Sequence, residues 1–292
     1  MLELTLQALY SGLLAGGSYA MIALGLALVF GTMRLINLAH GELVLLSAYI
    51  AYEMERSAGV NPLAAIPVAI VVVGAVALLT YGAVTRIRED RELNSLILTF
   101  GIAIILTNLI LARWSADIRS TGNAWFQDGV VLGGTLYAMR SELLFSVVGL
   151  ALVAGVALWL AKSWQGRALR AVASNRTAAT LMGVNPAKVE AFSFAIAGLL
   201  ASVSGCALYT ASVVFPALGH ALTVKAFVVA VLAGMGSVPG VLIGSLILGV
   251  AEQLTATFLK PSLQELAAMA IFLTVLFLKP SGLFGRSNVV RR

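Results

Sequence analysis

The chain has 292 residues, of which 60% are hydrophobic and 11% charged, with a mean hydropathy of +0.98. A soluble domain is about 45–50% apolar and about 25% charged, so this composition excludes a soluble enzyme and marks an all-α polytopic membrane protein. The net charge of +6 does not indicate nucleic acid, because the basic residues fall in short connections between apolar runs, as the positive-inside rule requires.

A helical crossing needs roughly 20 apolar residues, so the length allows about 8–9 transmembrane or half-spanning helices and no separate catalytic domain. The first is Leu4 to Phe30. The Met-Leu-Glu-Leu start lacks a basic n-region, so this stretch reads as a retained span. Gly12, Gly16 and Ala20 recur at four-residue spacing on it, which lets another helix approach closely. Gly31 to His40 is too polar for lipid and is expected to be irregular backbone near the cytoplasmic side. Gly41 to Ala51 follows as a short apolar segment, and Glu53-Met-Glu-Arg56 marks the next boundary. Half-length segments beside broken backbone are typical of transport paths. Pro62 to Val84 and Asn94 to Ala112 are full spans, separated by the charged loop Thr85 to Glu92. The polar connection 115–140 carries turn signals at Thr121-Gly-Asn123 and Gly133-Gly134, and Glu142 to Ala161 is the next span.

The segment 163–190 is a polar and basic island containing WQGRALRAVASNRTAATLMGVNPAKVE. Ala168, Leu169 and Val172 against Arg167 and Arg170 give the spacing of a surface helix. Ser174 or Asn175 caps a second helical turn beginning at Arg176. Gly183 stops it in a left-handed conformation. Asn185-Pro186 then restarts a helix as cap and first helical residue, making a rigid knuckle between two spans.

Val189 to Val213 is the following span, with the small stripe Ala197, Ala201 and Gly205. A turn at Phe215-Pro216 to His220 leads into the short apolar run Leu222 to Ala233. Gly234 to Gly240 is a Gly/Pro break, expected within the hydrocarbon region and therefore supported by protein or a cavity. Gly236, Gly240 and Gly244 offer helix packing as an equal alternative to lining a path. Val241 to Phe258 and Leu263 to Leu278 complete the spans. A weak echo pairs His40–Glu53 with Pro239–Glu252. The basic tail, Lys279, Arg286, Arg291 and Arg292, together with the basic knuckle, places both in the cytoplasm and the N-terminus outside.

No metal or catalytic signature is present. Ser204-Gly205 with His220 resembles a Ser/His dyad only loosely, since Ser202 stands where that motif needs glycine and His220 falls in a turn. There is no phosphate-binding loop, so any ATP must be bound by a partner and the chain itself has no cofactor. His40 and Glu42 flank Gly41 at a helix start. A charge at membrane depth costs roughly 2.5–3.5 kcal/mol and is paired or functional, although Glu42 also suits a helix dipole. An ion-coupled secondary transporter is the rival class, but only Glu42 and Glu252 approach the depth its titratable sites need.

GRALRAVASNRTAATLMGVNPAKV, LINLAHGE and AGMGSVPG together resemble the LivH-type permease subunits of branched-chain amino-acid ABC importers, across essentially the whole chain. Leu38 and Ala233 depart from the usual pattern, where an aromatic and a glycine are common. The resemblance implies one permease domain over 1–292 in a bacterial inner membrane. It further implies pairing with a second homologous permease, two ATP-binding subunits and an extracytoplasmic solute-binding protein facing loop 115–140. Coupling to the ATP-binding subunits would fall to Arg167, Arg170, Asn175, Arg176 and Gly183. The translocation path would use Asn37, His40, Glu42, Gly236, Ser237 and Gly240.

Overall fold

The computed structural model describes residues 1–87, 89–234 and 236–284. Arg286, Arg291 and Arg292 of the basic tail lie outside them. Within the described residues the helices are α1 (Leu2–Met33), α2 (His40–Ala58), α3 (Ile66–Thr85), α4 (Arg91–Trp114), α5 (Ala124–Gln127), α6 (Arg140–Lys162), α7 (Trp164–Ser174), α8 (Arg176–Leu181), α9 (Pro186–Ala211), α10 (Leu218–Ala233), α11 (Val238–Phe258) and α12 (Gln264–Leu278). Seven of them, some with their preceding turn, are long and apolar enough to cross a membrane: α1, α3, α4, α6, α9, α11 and α12.

Helix α1 is the axis. An apolar helix with no polar face must be surrounded, and Ala20 to Val29 are buried without interruption. Helices α6, α9, α10 and α11 pack around it. The small-residue stripe does what its spacing predicts. Gly12 and Gly16 face the backbone of Gly249–Val250 and Ser245–Leu246 on α11. On α9 the second stripe places Gly205 against the carbonyl of Val44 and the side chain of Ser47 on α2.

Two expectations about the breaks change. The stretch after α1 does not stay at one membrane face. Arg34 turns the chain in a left-handed conformation, φ 55°, and His40 Nε2 then donates to the Ile22 carbonyl at 2.8 Å. Ile22 is about 16 Å from the end of α1 at 1.5 Å per residue, so residues 34–39 run back into the bundle and α2 begins inside it. Helix α2 is also not short. It continues through Glu53-Met-Glu-Arg56 because those charges find partners. Glu53 accepts from Arg113 Nη2 at 3.0 Å and Trp114 Nε1 at 2.6 Å, and Glu55 accepts from Thr121 Oγ1 at 2.7 Å and Tyr209 Oη at 2.5 Å.

The second break lies elsewhere. Gly236 sits against Gly31, near the end of α1 and not in the middle of the bundle. Ser237 caps α11 by accepting from the Gly240 N–H at 3.2 Å. Gly240 and Gly244 pack on the backbone of α10 around Ala233, so packing accounts for those two. The echo between the segments that follow the breaks is therefore not structural equivalence, since one helix starts deep and the other near a face.

Connection 115–140 contains more structure than a surface loop. Strands β1 (Gly129–Leu132) and β2 (Leu136–Met139) form an antiparallel hairpin that turns at Gly133-Gly134, both with positive φ. Gln7 at the start of α1 pins it, donating to the Tyr137 carbonyl at 2.8 Å and accepting from the Tyr137 N–H at 2.9 Å. His220, expected in a turn, is an exposed residue in the first turn of α10.

Candidate functional site

The knuckle folds as its punctuation requires. Ser163 accepts from the Gly166 N–H at 2.9 Å and opens α7, whose buried face is Gly166, Ala168, Leu169 and Val172. Asn175 accepts from Ala178 N–H at 2.9 Å and opens α8. Gly183 stands at φ 82°, which returns the Gly183 and Val184 N–H groups to the carbonyls of Thr180 and Ala179, both at 3.0 Å. Asn185 accepts from Lys188 N–H at 3.3 Å and Pro186 opens α9.

Its arginines are exposed, but each also bonds back onto the protein. Arg176 Nε donates to Glu190 Oε1 at 2.9 Å, and Arg91 lies 3.5 Å from the other oxygen of that carboxylate, which is buried. Two cations on one buried carboxylate tie α8, α9 and the start of α4 together. Arg170 donates to the Leu160 carbonyl. Arg167 donates to the Lys162 carbonyl at 3.2 Å and covers the Trp164 ring. Its most exposed large apolar side chains are Leu181 and Met182, each 83% exposed. Sequence reasoning passed over this pair, although two large apolar residues directly before a helix-stopping glycine in a polar segment were the available signal.

Asn37, His40 and Glu42 come together, all buried. The irregular backbone between α1 and α2 is satisfied by side chains, as buried non-helical backbone must be. Asn37 Oδ1 accepts from Ala39 N–H at 3.1 Å and Thr99 Oγ1 accepts from Leu38 N–H at 3.2 Å. Thr223 Oγ1 accepts from Gly41 N–H at 2.9 Å, and its one proton is shared between the Gly219 carbonyl at 3.1 Å and the Leu38 carbonyl at 3.3 Å. Gly219 of α10 makes room for the Glu42 carboxyl, and Gly25 for the His40 ring. His40 Nδ1 and Glu42 Oε2 are buried without a hydrogen-bond partner among the described residues.

Gly236, Ser237 and Gly240 belong to a separate place. Gly236 and Ser237 line a cavity of about 590 Å³ whose wall also includes Gly31, Leu160, Arg170 and Phe284. The six path candidates thus form two groups, one inside the bundle and one near the knuckle, and the second shares its cavity with Arg170 of the coupling group. A third polar cluster was missed: Lys225 of α10 with Tyr19 of α1 and Glu252 of α11. Ser204, by contrast, commits its hydroxyl to the Leu200 carbonyl at 2.6 Å.

Residues 8–278 match the family described as branched-chain amino acid transport system / permease component. The chain belongs to this permease family. It is 31% identical over 299 residues to the high-affinity branched-chain amino acid transport system permease protein BraD of Pseudomonas aeruginosa, covering 97% of each chain. It is 32% identical over 301 residues to the corresponding permease LivH of Escherichia coli K12, covering 97% of this chain and 96% of that one. The ribose import permease protein RbsC of the same organism is more distant, 27% identical over 242 residues and covering 79% and 72%. Among solved structures, PsaBC from Streptococcus pneumoniae in complex with Fab aligns over 94% of this chain and 91% of that one, with a TM-score of 0.53 and 15% identity. That likeness speaks to the fold of this permease.

Proposed function

We propose that this chain is the membrane-spanning subunit of an ATP-driven importer that carries branched-chain amino acids, or related small polar solutes, by alternating access across a bacterial inner membrane. The observation that carries the reading is the near full-length similarity to permeases named for branched-chain amino acid transport. ATP is bound and hydrolysed by two partner subunits on the cytoplasmic side, a second homologous permease completes the path, and an extracytoplasmic solute-binding protein delivers the solute. The N-terminus is outside and the knuckle is cytoplasmic.

In this reading the knuckle of α7 and α8 receives the motion of the ATP-binding subunits. Leu181 and Met182 are its contact, since exposed apolar pairs rimmed by polar residues favour a protein partner. The clamp of Arg176 and Arg91 on Glu190 makes the knuckle move as one body with α9. Replacing Leu181 and Met182 together by Asp tests this. The purified variant is expected to lose co-purification with its ATP-binding subunits while keeping its own monodispersity. Undiminished co-purification contradicts the assignment. An ion-coupled carrier remains the alternative that an uptake assay separates.

A further inference from the structure

Lys225 lies about halfway along α10, and neither the sequence reading nor the transport reading gives it a task. Its Nζ donates to Tyr19 Oη and to Glu252 Oε2, each at 3.0 Å, and Tyr19 Oη donates to the same carboxylate oxygen at 2.6 Å. Glu252 is buried and its Oε1 has no partner among the described residues. As a neutral staple of α1, α10 and α11 the trio is complete with two of the three ammonium donors used. The third donor is left over.

The Lys225 side chain keeps 24% of its exposure, and it faces a cavity of about 440 Å³, a size typical of sites for small ligands, about 300–1,000 Å³. Leu14, Phe145 and Leu218 give the cavity an apolar wall. Ser18 and Ser212 add hydroxyls, and the exposed carboxylates of Glu142 and Glu265 border it. It opens at the hairpin end, for Glu142 follows β2 by three residues and Ser212 ends α9 next to the Arg119–Val214 bridge. Lys225 also borders a smaller cavity, about 250 Å³, shared with His220, Glu265 and Met269.

We propose that the larger cavity is a transit site for the solute and that Lys225 holds the solute's carboxylate there. This rests on the permease reading and narrows it to zwitterionic amino acids with an apolar side chain. The ammonium of Lys225 takes the carboxylate, the apolar wall takes the side chain, and the bordering carboxylates favour the solute's ammonium. An inorganic anion would leave the apolar wall unused, and an uncharged sugar would leave the spare donor without a charged partner.

The test uses the assembled importer with Ser212→Cys as the single accessible thiol in a Cys206→Ser background, labelled by a thiol-reactive methanethiosulfonate. Leucine and isocaproate, which has the carboxylate but no amine, are expected to slow labelling about tenfold once present at about ten times their Kd, by simple occupancy. Isopentylamine, which has the amine but no carboxylate, is expected to give no protection. Lys225→Met should abolish the protection and Lys225→Arg should retain it. The ligand pattern is read in the chain that keeps Lys225, so it stands even where the methionine variant fails to assemble. Equal protection by isopentylamine, or no protection in an importer that still takes up leucine, overturns the site. An importer that takes up no leucine and shows no protection overturns the permease reading and the site with it.

Discussion

Gly183 has φ 82° and nothing within 4 Å of the place a Cβ would occupy. A side chain there meets no clash, only the backbone cost of a left-handed conformation, about 1–2 kcal/mol for an L-residue and least for Asn. Gly183→Asn is therefore expected to import at near wild-type rate, and Gly183→Val to lose coupled uptake because a β-branched residue resists positive φ. Wild-type uptake by the valine variant contradicts the rigid stop. Glu190 is the other residue on which the knuckle depends. Glu190→Gln leaves Arg176 and Arg91 without their shared carboxylate. Breaking a buried pair costs about 3–5 kcal/mol, but Arg176 is more than half exposed, which lowers the expectation to about 1–3 kcal/mol. Faster tryptic cleavage within 163–190, with the rest of the chain intact, is the predicted sign. Cleavage at the wild-type rate speaks against the clamp.

At the scale of elements, the break before α2 is the feature that long-range contacts decide. That a break falls within residues 31–40 was legible, because Arg34, Asn37 and His40 do not tolerate lipid, although only 34–39 are irregular. Their depth was not legible. It is set by Thr99, Thr223 and the Ile22 carbonyl, which come from three other helices. Likewise the helical continuation past Glu53 depended on Arg113, Trp114, Thr121 and Tyr209, none of them near in sequence. Most of the knuckle was legible since its signals, Asn175, Gly183 and Asn185-Pro186, all act within three or four positions, whereas the cap at Ser163 was not read. The hairpin of β1 and β2 escaped because each strand has four residues and lies largely exposed, leaving little alternation to read. Lys225 escaped because a lone cation in an apolar run gives no hint of a tyrosine and a carboxylate brought from distant helices. Thr223→Val is expected to lower the Tm of the detergent-solubilised protein, since the Gly41 N–H and Leu38 carbonyl lose a partner, at about 1–3 kcal/mol. Thr223→Ser should restore it. An unchanged Tm in the valine variant means the break is held by other contacts.

For the whole molecule, the arrangement is an inner group of α1, α2, α9, α10 and α11 with α3, α4, α6 and α12 outside. The outer helices expose large apolar side chains such as Val71, Leu79, Ile105, Leu109, Val147 and Phe277, the surface expected against lipid tails. Glu42 and Glu252 are buried, and burial alone is compatible with ion coupling as well as with ATP coupling. The knuckle and the hairpin lie at opposite ends of α6, so cysteines at Gln165 and Gly133 are expected to react with an impermeant thiol reagent from opposite sides of intact membrane. Labelling of both from one side contradicts the crossing of α6.

Uptake of radiolabelled leucine into proteoliposomes separates the two energy sources most directly, with the chain reconstituted alone and with its second permease, ATP-binding subunits and solute-binding protein. The importer account predicts uptake only in the complete assembly and only with ATP on the knuckle side. Uptake by the chain alone, driven by a proton or sodium gradient and indifferent to ATP, contradicts it.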